Sequence, residues 1–309
     1  MSPPSRNQLT ELIGQIATII VGKQAQIEDC VACMLAGGHL LIEDVPGVGK
    51  TTLAHAIAVS LGLRFSRTQF TADLMPVGPD RRQRLRARAR KRSFSTPARC
   101  SRTCCSPTRS IAPGRRRRAR LLEAMEEHQV TVEGETRALP APFFVIATQN
   151  PTDQIGTYPL PESQLDRFLM CITLGYPDKK SERELLAGAD RREAIGRLRA
   201  VMTPAELIAA QRAVQAVHAS DALLDYLQAL IQATRSGAWF VEGLSPRAGI
   251  AVLRAARARA LLGGRDYVAP DDIQYVLPQT IAHRLVPVAG AGRGRREQVR
   301  AMVEAVPLP

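Results

Sequence analysis

The ten residues EDVPGVGKTT, from Glu43 to Thr52, have the composition and spacing of a phosphate-binding loop. They follow the apolar run HLLIE and precede a stretch with helical periodicity, so the loop is predicted to lie between a strand and a helix. Gly47 and Gly49 allow backbone N–H groups to curl around phosphate oxygens at a helix N-terminus, where the helix dipole favours an anion. Lys50 would reach the β- and γ-phosphates of a nucleotide, and the Thr51 hydroxyl would bind Mg²⁺.

The strict form of this loop pattern has glycine at its first position, where this chain has Asp44. A glycine-rich turn with a purely structural role is the alternative interpretation. The position between a strand and a helix favours the phosphate site, because that context is what gives the motif its meaning. The residues expected to contact nucleotide are Asp44, Val45, Pro46, Gly47, Val48, Gly49, Lys50, Thr51 and Thr52.

Strands and helices must position this loop, and the chain is rich enough in apolar residues to form them. Of its 309 residues 45% are hydrophobic, which suffices for one large domain or two modest ones. HLLIE, RFSRTQF, FFVIAT and FLMCITL read as strands separated by helical patterns, which predicts an α/β fold with a parallel sheet covered on both faces. Two helices are predicted within residues 9–36.

After about Asp178 only helical patterns remain. Thr203-Pro204, Ser220 and Ser245-Pro246 are helix start signals, and a further helix opens at Asp271. We therefore expect a core over residues 1–180 and a four-helix appendage within residues 181–309.

Other features of the composition limit the class of protein. No stretch of about 18 apolar residues is present and the N-terminus lacks a signal-peptide pattern, which predicts a cytoplasmic protein without a membrane span. The six cysteines lack metal-ligand spacing, and Cys30 and Cys33 are expected to face the core. The histidines do not cluster and are interpreted as packing or surface residues.

Three ordered motifs give the chain a resemblance to a known family. The strings GGHLLIEDVPGVGKTTLA, FFVIATQNPTDQIGTYPLPESQLDRFLM and GLSPRAGIAVLRAARA resemble the MoxR branch of the AAA+ ATPases, which tolerates an acid at the first loop position. The resemblance implies a P-loop NTPase (AAA+) core with a C-terminal helical lid, and an ATPase with ATP and Mg²⁺ as cofactors. It further implies a homo-oligomeric ring, usually a hexamer, that remodels or activates protein partners, often proteins with von Willebrand factor A domains and sometimes by metal insertion.

The resemblance assigns catalytic roles to three residues outside the loop. Asn150 matches the sensor-1 position, where an amide orients the attacking water, and its alternative is a polar turn residue before Pro151. Arg167 matches the arginine finger, which stabilises transition-state charge in a neighbouring subunit's site, and its alternative is a solvated surface arginine. Arg247 matches sensor 2, a lid cation that reads the γ-phosphate.

One segment departs from the family, and its charge balance of +14 exceeds the net charge of +13 of the whole chain. Residues 77–118 hold fifteen of the 42 Lys and Arg but one acid, Asp80, of the 29 Asp and Glu. Such a run could contact nucleic acid, and that alternative stays open. It is disfavoured because Phe94 is the single aromatic residue available there for base stacking.

The same segment occupies the place where the family has a strand ending in two acids, the Asp that holds Mg²⁺ and the Glu that activates water. Here the sequence from Phe94 to Gly114 is FSTPARCSRTCCSPTRSIAPG, which contains no acid. If Ser95 to Gly114 are written in GC-rich codons and regrouped one base earlier, they can be read as FHPGPVLAHVLLADEINRAG, which matches the missing family motif. We hypothesise that about Val77 to Arg118 is translated out of frame, by a compensated indel or a sequencing error. Resequencing of the locus tests this.

Two expectations follow for the chain as it stands. Residues 77–118 have few apolar side chains, and Pro97, Pro107 and Pro113 oppose a central strand, which predicts disorder. Without the two acids, ATP hydrolysis is expected to be impaired, since loss of a general base typically costs about 10² to 10⁴ in rate. The alternative is a non-hydrolysing nucleotide-binding adaptor, which would be a stably folded chain.

Overall fold

A computed structural model describes residues 5–70, 103–110, 115–132, 134–150, 162–187, 191–289 and 292–308. Two helices come first, α1 (Arg6–Ile19) and α2 (Gln24–Leu35), as the sequence predicts. The side chain of Ser5 caps α1 by accepting a hydrogen bond from the backbone N–H of Gln8. Both helices bury an apolar face in the main core.

A five-stranded sheet forms the centre of the part of the chain that contains the glycine-rich loop. Its strands and the helices between them are β1 (His39–Glu43), α3 (Lys50–Ser60), β2 (Arg64–Phe70), β3 (Thr103–Ser110), α4 (Arg115–Glu127), β6 (Phe144–Gln149), α5 (Glu162–Leu165) and β7 (Phe168–Ile172). A separate antiparallel hairpin pairs β4 (Gln129–Val132) with β5 (Glu135–Ala138). The sheet order is β2-β3-β6-β1-β7, and every pairing within it is parallel.

The sheet is covered on both faces, which confirms the α/β prediction. Successive side chains of a strand point to opposite faces, and in β1 Leu40 and Ile42 pack into the main core while Leu41 packs into a second, smaller cluster. That second cluster includes Met125 of α4 and Phe168 of β7. Because β1, β6 and β7 are buried on both faces, their sequences are nearly continuous apolar runs.

The structure differs from the prediction of disorder in two places. Thr103–Ser110 forms β3, an interior strand of the sheet, and residues 115–118 begin α4. β3 pairs with β2 along its whole length, and its register with β6 runs through Cys105–Val145 to Thr108–Thr148, passing over Pro107. A backbone ladder needs N–H and C=O groups and not apolar side chains. The flanking strands β2 and β6 offer such groups on both sides. A prediction made from the composition of residues 77–118 alone leaves these partners out. Residues 77–102 and 111–114 lie outside the described residues.

The C-terminal part is helical, as predicted, and it contains α6 (Lys179–Ala187), α7 (Arg191–Gly196), α8 (Pro204–Ala216), α9 (Asp221–Arg235), α10 (Pro246–Leu262), α11 (Pro270–Ile281) and α12 (Arg295–Ala305). Thr203, Ser220 and Ser245 cap α8, α9 and α10 through their hydroxyls, which confirms the start signals. The four-helix expectation was wrong, because α12 packs against α9 and α11 as a further helix of the bundle. The sequence of α12 is mostly polar, so it gives little sign of the few residues that the helix buries, among them Val299 and Met302.

Candidate functional site

The loop between β1 and α3 has the backbone that anion binding requires. Gly47 and Gly49 have φ angles of +91° and +92°, which side chains with a Cβ rarely adopt. A Cβ on Gly47 would meet nothing within 4 Å, so the glycine is needed for its backbone conformation and not for close packing. α3 starts at Lys50, and no side-chain cap occupies the amides of its first turn. These amides and the helix dipole therefore offer donors to an anion.

Lys50 points back onto its own loop. Its ammonium donates hydrogen bonds to the backbone carbonyl of Asp44 and, at 3.0 Å, to that of Val45. The loop is also fixed to the neighbouring strand, since the backbone N–H of Asp44 donates to the carbonyl of Gln149 at 3.0 Å. The lysine predicted to contact phosphate is thus held beside the amides that would bind the same group.

The carboxylate of Asp44 does not face outward from the loop. The residue is 5% exposed, and its Oδ1 accepts a hydrogen bond from the N–H of Val45 at 2.8 Å. Its Oδ2 accepts a hydrogen bond from the N–H of Gly175, just beyond β7, at 2.6 Å. Any contact of Asp44 with nucleotide therefore involves the backbone, because both carboxylate oxygens are engaged inside the protein.

Asn150 lies at the same edge of the sheet as the loop. It follows β6, which stands between β3 and β1. Glu43 at the end of β1 is the register partner of Gln149, and Thr108 near the end of β3 is the partner of Thr148. The carboxyl ends of β1, β6 and β3 therefore bring together the loop, the candidate water-orienting amide and the position that needs acids.

The other two candidate catalytic residues share one carboxylate. Arg167 Nη2 lies 2.7 Å from Glu126 Oε2, and Arg247 Nη1 lies 3.0 Å from Glu126 Oε1. The hydrogen bond from Arg247 is the largest cause that lowers the pKa of Glu126, against a smaller raising effect of desolvation. The side chain of Arg247 is 56% exposed and that of Arg167 is 26% exposed, so the pair forms a partly open cationic surface.

This surface lies at the amino edge of the sheet, opposite the loop. His39, the first residue of β1, accepts at Nδ1 from the N–H of Val145, so its other ring nitrogen donates to the carbonyl of Met125 at 3.0 Å. Met125 immediately precedes Glu126, and Arg167 immediately precedes β7. The strand β1 has five residues, which separates its two ends by about 13 Å.

A second carboxylate joins the helical part to the same edge. Asp166 Oδ1 accepts from Arg284 Nη1, and Asp166 Oδ2 lies 3.8 Å from Arg247 Nε. The guanidinium of Arg284 also donates to the carbonyl of Phe168 at 2.8 Å. Glu126 and Asp166 of the core are therefore connected to Arg247 and Arg284 of the helical domain.

The structure thus divides the predicted site residues into two groups. Residues 44–52 and Asn150 lie at the carboxyl edge, whereas Arg167 and Arg247 lie together at the amino edge. Sequence reasoning missed Glu126, which has no signal beyond its place in the acidic string EAMEE, and it missed the partnership of Asp44 with Gly175. The departure from glycine at position 44 was the available signal for that partnership.

The described residues supply an incomplete set of ligands for a divalent cation. Thr51 offers one hydroxyl at the start of α3, but the end of β3 carries Thr108 and Arg109, where Mg²⁺ would prefer carboxylates. The described parts of the chain hold no group of three or more His, Cys, Asp or Glu that could bind a metal ion. Among the described residues, Cys30, Cys33 and Cys171 are buried thiols that form no disulfide. In those same parts every helix is too short or too polar to cross a bilayer.

Comparison with known proteins agrees with this architecture. Residues 39–170 match the family described as "ATPase family associated with various cellular activities (AAA)", and residues 232–305 match the AAA lid domain. The crystal structure of a candidate ATPase from Cytophaga hutchinsonii, at 2.00 Å, superposes with a TM-score of 0.79 at 29% identity, covering 98% of this chain and 96% of that one.

Three relatives extend the comparison over almost the whole chain. An uncharacterized protein of Bacillus subtilis, YeaC, is 40% identical over 97% of this chain and 95% of its own length. Chaperone MoxR1 of Mycobacterium tuberculosis is 36% identical over 90% of this chain and 75% of its own length. Protein MoxR of Methylorubrum extorquens is 30% identical over 96% and 93%. With its parallel sheet, glycine loop and helical lid, the chain belongs to the MoxR family of AAA+ ATPases.

Proposed function

We propose that this chain binds ATP with Mg²⁺ at residues 44–52 and uses nucleotide binding to remodel or activate partner proteins. The observation that carries the proposal is the loop itself. Gly47 and Gly49 have left-handed backbones, the first turn of α3 has no side-chain cap, and Lys50 lies beside it. Backbone amides at a helix N-terminus together with a lysine form the arrangement that grips a triphosphate. The Thr51 hydroxyl would hold the metal ion, which neutralises phosphate charge when bound.

The positions of the two arginines support assembly into a homo-oligomeric ring, usually a hexamer in this family. Arg167 and Arg247 meet at the amino edge, while the loop of the same chain lies at the carboxyl edge. An arginine at the amino edge can contact a nucleotide only if that nucleotide is bound by a neighbouring copy. We infer that both arginines act on the adjacent subunit, where they would stabilise charge on the γ-phosphate.

The relatives support a chaperone-like role. The mycobacterial relative is named as a chaperone, and it is similar over 90% of this chain. We propose protein clients of the same general kind, including von Willebrand factor A domain proteins, in the cytoplasm. The nucleotide would then serve as the switch between client-bound and client-free states of the ring.

ATP hydrolysis by the chain as it stands is proposed to be slow. In the shifted reading of Ser95 to Gly114, the adjacent Asp and Glu fall at positions 108 and 109. The register of β3 supports that reading, because Thr108 pairs with Thr148 two residues before Asn150. The backbone thus runs to the point where the acids belong, but the residues there are Thr and Arg. Neither can hold Mg²⁺ as a carboxylate does or remove a proton from water.

A non-hydrolysing nucleotide sensor is the second candidate, and the formation of β3 favours it. A strand paired on both sides is what a stably folded chain requires, whereas a damaged enzyme would be expected to lose the centre of its sheet. Phosphate release at saturating ATP separates the two candidates. A turnover typical of the family would contradict both the sensor and the impaired enzyme.

The central proposal is tested by titrating the full chain with ATP in a calorimeter. We expect Lys50→Ala to weaken ATP binding by about 10- to 150-fold, because one charge-assisted hydrogen-bond donor is lost. Lys180→Ala, at an exposed lysine of α6, is the matched control and should bind as the wild type does. Melting temperatures of both variants exclude misfolding as the cause. Absence of heat from the wild-type chain, folded and supplied with Mg²⁺, would refute the assignment.

A further inference from the structure

Asp44 joins two segments that are far apart in the sequence. Its carboxylate accepts the N–H of Val45 at 2.8 Å and the N–H of Gly175 at 2.6 Å, a separation of 131 residues along the chain. The second bond is short, as expected when an ionised carboxylate accepts a backbone donor. Asp44 is 5% exposed, so water competes little for these bonds. The strict loop pattern has glycine at this position, and glycine has no side chain that could form these bonds.

The segment that receives this bond leads from the sheet into the helical domain. We call residues 175–178 the connector, because they lie between β7 and α6. Gly175 has a φ of +66°, which favours glycine there. The carbonyl of Tyr176 accepts from Lys23 Nζ at 2.7 Å, while 74% of that tyrosine is exposed. The Asp178 carboxylate accepts the N–H of Ser181 at 2.7 Å and so caps the first turn of α6.

Asp44 also contacts, through its backbone, the lysine that is predicted to bind phosphate. The ammonium of Lys50 donates to the backbone carbonyl of Asp44, whose side chain bonds Gly175. A phosphate that attracts the Lys50 ammonium competes with that carbonyl for the same donors. The peptide between Asp44 and Val45 would then lose the bond to Lys50 but keep the bond from the Val45 N–H to the Asp44 carboxylate, so a movement of this peptide would move the carboxylate with it. Its movement would be passed to the connector because the carboxylate is only one carbon away from the backbone.

We propose that Asp44 is a positioning residue that couples the phosphate loop to the connector, so that nucleotide binding alters the order of residues 175–178 and the start of α6. The inference rests on the proposed function, since the ligand is the nucleotide bound by the loop. It adds to that function one residue, Asp44, and the contacts through which the loop affects the connector. Through this one buried carboxylate, nucleotide binding at the loop affects the helical domain.

Hydrogen exchange of the full chain, measured by mass spectrometry with and without Mg-ATP, tests the coupling. At ATP concentrations that saturate each protein, judged by protection of the loop amides, the wild type should change its exchange at Gly175, Tyr176 and Asp178. Asp44→Gly restores the strict loop pattern, and the ATP-dependent change in the connector should be lost. The Gly175 amide should also exchange faster in this variant without nucleotide.

Two further variants make the result decisive. Asp44→Asn keeps one carbonyl oxygen and should retain part of the response, and it replaces Asp44→Gly if that variant does not fold. Asp178→Ala removes the cap of α6 without touching the loop, so it should alter basal exchange in the connector but keep the ATP-dependent change. An unchanged connector response in the Asp44 variants, with the loop protected, overturns the coupling and leaves nucleotide binding intact. No protection of the wild-type loop overturns the proposed function and the coupling together.

Discussion

The carboxyl ends of β1 and β3 lie at the same edge of one sheet, separated only by β6, yet they differ in what they can do. After β1 the chain has left-handed glycines, uncapped helix amides and Lys50, which together suit a phosphate. At the end of β3 it has Thr108 and Arg109, which suit neither a metal ion nor proton transfer.

The comparison separates two requirements of an enzyme site. A strand is held by backbone hydrogen bonds, so β3 can pair with both neighbours even though its sequence, TCCSPTRS, has no large apolar residue. Catalysis depends on which side chains the strand carries to the edge. A correct backbone is therefore compatible with a chemically incomplete site.

The largest expected effect comes from supplying the missing acids. In the double variant Thr108→Asp/Arg109→Glu, we expect ATP hydrolysis to rise by about 10² to 10⁴, the contribution typical of a general base. The rate is measured as phosphate release at saturating Mg-ATP. Adding Lys50→Ala to the double variant should remove most of the gain at the ATP concentration that just saturates the double variant, because ATP binding is weakened by about 10- to 150-fold. A double variant that binds ATP but hydrolyses it no faster than the wild type would show that the end of β3 does not limit the rate.

The sequence allowed the β1 end of this comparison to be predicted. Strand, glycine loop and helix follow each other within 22 residues, His39 to Ser60, and each is specified by its own local pattern. The helix caps of the C-terminal domain, such as Thr203 and Ser245, were equally local and equally predictable.

The remaining features depend on partners that are distant in the sequence. β3 forms because β2 and β6 flank it, and a window of residues around 103–110 does not contain that information. Arg247 reaches Glu126 across 121 residues. For such contacts the sequence could predict that an arginine would be important, but the carboxylate that holds it becomes apparent only in the fold.

Lowering the pH is expected to have an effect of intermediate size on stability, through His39, whose contact with Met125 fixes α4 to the sheet. Burial lowers the pKa of His39 to about 4, so the folded protein keeps this ring neutral while the unfolded chain protonates it near 6.5. The unfolded state therefore binds more protons between these values, and stability falls as the pH falls. The loss should reach about 3 kcal/mol by pH 4.

Urea unfolding between pH 7.5 and pH 4 measures this dependence. His39→Gln has no ring to protonate, so its stability should fall less steeply than that of the wild type over the same range. His218→Gln, at an exposed histidine, is the control and should follow the wild type. Parallel curves for the wild type and His39→Gln would indicate that other groups, such as the buried His283, whose pKa burial also lowers, cause the acid sensitivity.

The smallest effect is expected where the two candidate catalytic arginines meet. Glu126→Gln removes the charge that holds Arg167 and Arg247, but all three side chains are partly exposed, and such ion pairs contribute less than about 1 kcal/mol. The pKa of Glu126 is lowered by its arginines, so its contribution is present at neutral pH and is lost as the pH falls below the ordinary range of a glutamate. Urea unfolding at pH 7 in low and high salt measures it, with Glu127→Gln on the same helix as the control. A small, salt-sensitive loss is expected if these arginines serve a neighbouring copy, whereas a loss of several kcal/mol would assign them to the stability of their own chain and remove the reason to place them in the adjacent subunit's site.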